Sequence, residues 1–331
     1  MQLQAKAREL LQQGRVNMFL GFERGTQPLR NRLCVITDAG AVGGLVWDSM
    51  CQANLAVYLP QYFVPRMNLK KGEVQTFPKV GIAVKGCDLR AVMLLAREHQ
   101  ILRDQVITVG IPCRGMLDPA RLQALAGTRE VAGVAENGDS ITVTTAAGPV
   151  TGPRESLLAD ACRECRYPVP RDADLVLEGG GRAPAAERYA RVWEFERRSP
   201  AERWAYFRKE LSACIRCNAC RQACPTCYCK ECFADQTRPR WVGIGNGIED
   251  VMFFHIGRIL HQAGRCVECD ACSRACPMGI DLRTFTSVMG RDIEALYGYA
   301  PGTSMQEVQP LLAYDIDEDQ GYTTEPRDRQ D

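Results

Sequence analysis

The chain has 331 residues, enough for two or three domains with their own cores. Hydrophobic residues make up 46% and charged residues 24%, as in a soluble globular protein, and a net charge of +1 gives no electrostatic reason to expect nucleic acid or a membrane surface. No apolar run approaches the roughly 18 residues of a spanning helix, and the charged N-terminus MQLQAKARELLQQGRV lacks an apolar signal core, so the expected location is cytoplasmic.

Residues 1–13 read as a helix stopped at Gly14. Residues 15–60, with apolar runs such as VNMFLGF and NLAVYLP among turn residues, read as strands and loops. VGIAVKG (80–86), the helically spaced DLRAVMLLAREHQIL (88–102) and QVITVGIPC (105–113) predict a strand–helix–strand unit and hence a parallel sheet. VAGVAENGDSITVTTAAGPV (131–150) alternates around Asn137-Gly138 and predicts a hairpin. GGGRAPAA (179–186) reads as a linker and PAAERYARVWEFERR as a helix. Ser199-Pro200-Ala201-Glu202 then opens another helix with a capping box and Pro at its first position. IEDVMFFHIGRILHQAG (248–264) is amphipathic and ends at Gly264. The polar tail from 314 to 331 reads as disordered. The expected architecture is an α/β front domain over 1–182, with a mainly parallel sheet plus a hairpin. A mainly helical module follows over 183–313.

Seventeen cysteines in a chain without a signal core read as metal ligands or redox groups, and eleven of them fall between Cys214 and Cys276. CIRCNACRQACP (214–225) and CVECDACSRACP (266–277) each have the form C-x₂-C-x₂-C-x₃-C-P. In two-cluster ferredoxins three thiolates of one run clasp a cubane and the fourth crosses to the other cluster. That rule groups Cys214, Cys217, Cys220 and Cys276 on one 4Fe–4S cluster, and Cys266, Cys269, Cys272 and Cys224 on the second. Zinc also uses C-x₂-C pairs, but not a third such step followed by x₃-C-P, twice over. Cys227, Cys229 and Cys232 are surplus to these motifs. They read as a further metal site, 4Fe–4S or zinc with a fourth ligand from elsewhere, against the alternatives of a redox dithiol or small buried side chains. Cys87 and Cys113, each following an apolar run, and the pair Cys162 and Cys165 form a candidate third 4Fe–4S site, against packed thiols and a zinc pair. Of the three histidines, His99, His255 and His261, the last two lie on the helix between the motifs and read first as hydrogen-bonded helix residues.

The wide spacing and helical connection of the two motifs resemble the helical dicluster domain of succinate dehydrogenase iron–sulfur subunits and heterodisulfide reductase subunits. KGCDLRAV, VGIPCRG and CRECRYPVPRDADLVLEGGGR, over about 79–182, resemble the beta-subunit family of deazaflavin-reducing hydrogenases and formate dehydrogenases. The likeness lies in Lys85 to Cys87, Pro112 to Gly115, and Cys162 through Ala173-Asp174-Leu175 to Gly179-Gly180. It implies one 4Fe–4S cluster and an FAD in an α/β domain, and a subunit of a larger anaerobic enzyme. Gly179 and Gly180 are the candidate cofactor-binding residues. Gly179–Gly181 and Gly40, Gly43 and Gly44 could let backbone approach a phosphate, though glycines alone read first as turns. Two departures are visible: Pro112 stands where the family has an aromatic, and the ferredoxin module follows the front domain. The whole chain is similar to proteins associated with heterodisulfide-reductase-like and formate-dehydrogenase-like partners.

The reading is an iron–sulfur electron-transfer subunit of an anaerobic oxidoreductase complex, linked to a formate dehydrogenase, a hydrogenase or a heterodisulfide reductase. It carries two 4Fe–4S clusters, a third in the front domain and the extra metal site. One alternative is a flavoenzyme that splits a hydride from a deazaflavin or nicotinamide into single electrons. The other is a non-redox zinc scaffold. No Ser-His-Asp set, Walker loop or complete G-x-G-x-x-G is present.

Overall fold

The computed structural model describes residues 2–65 and 73–312. The expected polar tail lies outside the described residues.

Helix α1 (Gln2–Gln12) buries Leu3, Ala7 and Leu10 and stops at Gly14, whose φ is +64°. Strands β1 (Met18–Arg24), β2 (Asn31–Ile36), β3 (Val80–Val84) and β4 (Val106–Gly110) follow, and β8 (Leu175–Val176) completes a five-stranded sheet in the order β2-β1-β3-β4-β8. Only β2 runs antiparallel to its neighbour. Every residue of β3 is buried, as expected for a central parallel strand covered on both faces. The run NLAVYLP is not a strand: Asn54 caps it, its Oδ1 accepting from Ala56 N at 3.1 Å, and Leu55–Tyr58 form a 3₁₀ turn.

The strand–helix–strand unit forms from β3, α2 (Gly86–Arg97) and β4. The helix starts two residues earlier than its apolar spacing suggests, because Asp88 accepts from the Lys85 backbone N–H at 3.0 Å and fixes the first turn. It also stops sooner, at Arg97; Glu98 is held by groups from the C-terminal half and His99 turns to φ +55°. Cys87 therefore lies in the first turn of a helix rather than at a strand end. Helix α3 (Pro119–Ala126) leads to an antiparallel sheet of β5 (Val131–Asn137), β6 (Ser140–Thr145) and β7 (Gly148–Pro153). Asn137 pairs with Ser140, so Gly138-Asp139 form the two-residue loop, one residue later than expected, and β7 is an extra strand. Short helices α4 (Arg154–Leu157) and α5 (Asp160–Arg163) close the front half.

The C-terminal half is helical: α6 (Ala190–Glu196), α7 (Pro200–Ser212), α8 (Ala219–Gln222), α9 (Ile248–His261), α10 (Ala271–Ala275) and α11 (Leu282–Tyr297). Helix α6 is shorter than PAAERYARVWEFERR suggests. Tyr189 has φ +68°, and its hydroxyl and Arg188 are drawn onto Glu294 of α11. The Ser199–Glu202 capping box forms as expected. No described helix is long and apolar enough to cross a membrane.

The two halves share structure. Val267 of the second cysteine motif is buried in the apolar cluster that contains β3 and α2. Arg90 on α2 donates to Pro301 O at 2.8 Å and to Val267 O at 3.1 Å. Glu98, its side chain 7% exposed, receives Arg265 Nε at 2.7 Å and Nη2 at 2.8 Å, Gln309 Nε2 at 2.8 Å and the Tyr228 hydroxyl. Burial would raise the Glu98 carboxyl, but these donors outweigh it and hold it below the ordinary carboxylate range. Glu98→Ala leaves Arg265 without its partner and is expected to cost about 3 kcal/mol, read as a lower denaturation midpoint of the C-terminal half. Because the folded Glu98 titrates below its unfolded value, its contribution is present at neutral pH and is lost as pH falls through the folded carboxyl's lowered range. An unchanged acid-unfolding midpoint in the variant would contradict this assignment.

Candidate metal centres

The two cysteine motifs fold into matching loops. Arg216 and Asn218 in the first have φ of 54° and 59°, and Glu268 and Asp270 at the same places in the second have 56° and 58°. Four non-glycine residues in the left-handed region are costly, and cluster where backbone must be aimed at a site. Here the turn points N–H groups at sulfur: Arg216 N lies 3.4 Å from Cys214 Sγ and Glu268 N lies 3.4 Å from Cys266 Sγ. Cys276 and Cys217 lie within electrostatic reach of Cys214, and Cys276 and Cys214 within reach of Cys220. Cys224 neighbours Cys266, Cys269 and Cys272. The structure thus brings together both quartets with their crossing fourth cysteines. Cys220 and Cys272 neighbour each other, so the quartets are adjacent.

Cys87, Cys113, Cys162 and Cys165 line one cavity in the front half. Two glycines make this possible. A Cβ on Gly86 would stand 1.7 Å from the Tyr167 carbonyl oxygen, so only glycine lets the segment after Cys165 cross the start of α2. Gly115, at φ +87°, turns the chain so that its N–H reaches Cys113 Sγ at 3.3 Å and Met116 N reaches Cys162 Sγ at 3.2 Å. Cys269 of the second motif lines the same cavity. No cysteine is in a disulfide. Among the described residues no three His, Cys, Asp or Glu side chains converge as ligands of a single ion; the front thiols are instead spread around a common space.

Left as thiols, Cys87, Cys113 and Cys269 would stay protonated at neutral pH. Burial pushes Cys113 up to about 12 and Cys269 up to about 12, and holds Cys87 well above the thiol range. Four thiolates in one buried space require cations, and iron supplies them by coordination. The donor set fits a 4Fe–4S core. The protein adds its own charge: Arg90, Arg274 and Arg283 line the front cavity, and Lys85 stands there with Asp88 2.9 Å away. Burial would lower the Lys85 ammonium, but Asp88 and Cys87 hold it up. Arg258, 3% exposed, faces Cys272, Cys224, Cys227 and Cys220. Reading cysteine spacing alone misses these cations. A signal existed: Arg221 and Arg274 both occupy the x₃ segment of a motif, and Arg90 interrupts an apolar helix.

Cys227, Cys229 and Cys232 line a separate cavity with Arg258, His261 and Arg265. Gly180 borders a further cavity of about 640 Å³ with Arg24, Trp47 and Arg114, and a Cβ on it would meet nothing within 4 Å. Gly179 is similarly open but does not line that cavity. Gly40, Gly43 and Gly44 lie in a 3₁₀ turn that packs on α1, with Gly43 O accepting from Gln4.

Two family models match the chain. Residues 77–192 match the C terminus of the coenzyme F420 hydrogenase/dehydrogenase beta subunit, and residues 210–280 match the 4Fe-4S dicluster domain. The F420-dependent formate dehydrogenase subunit beta of Methanocaldococcus jannaschii is 23% identical over 296 residues, covering 71% of this chain and 76% of that protein. The F420-dependent formate dehydrogenase 1 subunit beta of Methanococcus maripaludis is 24% identical, covering 71% and 75%. A chain in the F420-reducing NiFe hydrogenase complex from Methanosarcina barkeri aligns with a TM-score of 0.39 at 18% identity, over 51% of this chain and 61% of that one. The chain therefore joins a region that matches the C terminus of this beta subunit to a 4Fe-4S dicluster domain, in line with the resemblance its motifs carried. It is an iron–sulfur electron-transfer protein, and the zinc-scaffold alternative gives way for the two repeated motifs.

His255 tests how the protein tunes these centres. It is 1% exposed, its Nε2 is 3.3 Å from Cys214 Sγ, and burial together with Arg258 and Arg216 pushes it down to about 4. The ring is therefore neutral at neutral pH with one N–H; Nδ1 has no partner among the described residues, and the tautomer with the proton on Nε2 would donate to Cys214 Sγ. Such a bond stabilises the reduced, more negative cluster. His255→Leu is expected to keep its iron and to make one dicluster signal titrate at a more negative potential by EPR; an unmoved potential would contradict the donor role.

Proposed function

We propose that the chain is the electron-transfer subunit of a redox complex, carrying a third 4Fe–4S cluster on Cys87, Cys113, Cys162 and Cys165 and an FAD in the cavity beside it. In this reading residues 1–182 form the flavin and iron–sulfur domain and residues 183–313 the dicluster domain. Single electrons pass along the front quartet, the Cys266 quartet and the Cys214 quartet. The partner is a catalytic subunit of formate-dehydrogenase or hydrogenase type, by analogy with the relatives that carry such names.

One observation carries the reading. Pro112, Arg114 and Met116 line the 640 Å³ cavity, while Cys113 and Met116 line the thiol cavity. The two spaces thus lie back to back across one short segment, whose other neighbour, through Cys269, is the second motif. The cavity is within the range of cofactor sites, about 300–1,000 Å³. Trp47 offers an aromatic face, Arg24 and Arg114 offer cations for phosphate, and Gly180 leaves room at the rim. A bound flavin would supply the exchange of a hydride for two single electrons. The protein's own part is to hold the cavity against Cys113 and to keep the thiols buried from water. The hydride carrier in this reading is a deazaflavin such as coenzyme F420, with a nicotinamide as the competing class.

Anaerobically purified protein is expected to hold flavin near one per chain. Cys113→Ser is expected to lose about four irons relative to the parent while keeping the dicluster signals. Gly180→Leu, at a cavity-lining position where an added Cβ meets no protein atom within 4 Å, is expected to lose most of its flavin and keep its iron. Unchanged iron in Cys113→Ser would refute the third cluster, and parent protein without flavin would leave a relay alone.

A further inference from the structure

The three cysteines surplus to the motifs are brought together by the short segment after Cys224. Cys227, Cys229 and Cys232 line one cavity, and the other face is the last turn of α9 and the residues just after it, which contribute Arg258, His261, Gln262 and Arg265. His261 is the one imidazole on that lining, held edge-on against Phe233 with ring centroids 5.1 Å apart. Gln262 Nε2 lies 3.5 Å from Cys227 Sγ, and its Oε1 accepts from Thr226, which orients the amide toward the sulfur.

Three cations line this space, Arg221, Arg258 and Arg265, and no Asp or Glu does. Arg221 pairs with Asp235 and Arg265 with Glu98, each at 2.7 Å, so Arg258 is the cation left without a carboxylate among the described residues. Arg258 is only 3% exposed, and its Nε and Nη1 find no partner of ordinary hydrogen-bond geometry among the described residues. Its Nη2 donates to Cys220 O at 3.2 Å, and the sulfurs it faces are Cys227 of this cavity together with Cys220, Cys224 and Cys272 of the quartets. A buried guanidinium without a carboxylate is costly unless anionic sulfur surrounds it. The front quartet is likewise lined by arginines, there with Lys85, Glu164 and Glu268 among them. Three thiolates on a cluster core give a net anion that Arg258 can offset, and imidazole is an established substitute for thiolate on cluster iron.

We propose that Cys227, Cys229, Cys232 and His261 hold a further iron–sulfur centre, with Arg258 offsetting its charge. Cys227 contacts Cys224, so the centre adjoins the Cys266 quartet. Cys229 is exposed, so it also opens at the surface. It is a side branch of the electron path, placed within reach of a soluble carrier or a partner protein. The inference shares the iron–sulfur reading of the dicluster but does not depend on the front cluster or the flavin.

The test is iron, zinc and acid-labile sulfide per chain in anaerobically purified full-length protein, for the parent and Cys229→Ser, His261→Ala, His261→Cys and Cys113→Ser. Cys229 is exposed, so its replacement spares the core. The expected result is a loss of about four irons and four sulfides in Cys229→Ser and in His261→Ala, with recovery in His261→Cys. Loss in Cys229→Ser without loss in His261→Ala overturns His261 as the fourth ligand. Unchanged iron in Cys229→Ser, or loss of zinc instead, overturns the centre. Cys113→Ser reports the front cluster separately, so either proposal can fail alone.

Discussion

Buried sulfur needs buried positive charge, and the packing of this protein follows from that requirement. Thiols in a low-dielectric interior stay protonated, as the upward displacement of Cys113, Cys269 and Cys220 shows. Iron coordination relieves the problem but leaves each thiolate-ligated core anionic. The chain answers mostly with arginine: Arg90, Arg258, Arg274 and Arg283, beside Lys85, are drawn in among the cysteines. Guanidinium is always charged and can spend its five donors on several acceptors at once. Arg90 ties carbonyls of two segments, and Arg274 ties Gln52 O at 2.9 Å to Cys269 O at 2.7 Å.

Those same arginines join the halves of the chain. Arg283 of α11 pairs at 2.6 Å with Glu164, which stands between the two cysteines of the front-half C-x₂-C pair. Arg188 pairs with Glu268 at 2.6 Å, inside the second motif. The first contact holds a cysteine-bearing loop of the front half against a helix of the other half, and the second fixes the loop of the second motif itself. The result is that Cys269 faces the front thiol cavity, so the proposed electron path would cross from one half to the other through packed protein. Val267, buried in the core of the front half, anchors this crossing.

Much of this was legible in the residues. The repeated C-x₂-C-x₂-C-x₃-C-P motifs pointed to the same two groups of four cysteines that the fold brings near one another, because the spacing within each run is a local property. The strand–helix–strand unit was equally plain, since β3 and β4 are short continuous apolar runs around an apolar helix. What escaped was set by tertiary contacts. NLAVYLP has the composition of a strand, but the Asn54 cap turns it. Helix α2 ends early because Glu98 is captured by residues more than 125 positions away. His261 read as an ordinary helix residue, and only the fold puts it opposite Cys227, Cys229 and Cys232. Lys85 and the arginines were invisible to a search for ligands, because their role is to oppose charge rather than to coordinate.

The central claim is that the front quartet and the Cys266 quartet form adjoining steps of one path. EPR spectra of the protein at graded reduction test it most directly. Two paramagnetic centres meeting at Cys269 should broaden or split each other's signals when both are reduced, and Cys113→Ser should return the dicluster signals to simple form. Spectra that remain a plain sum of isolated centres at every degree of reduction, the same with and without Cys113, would contradict the account.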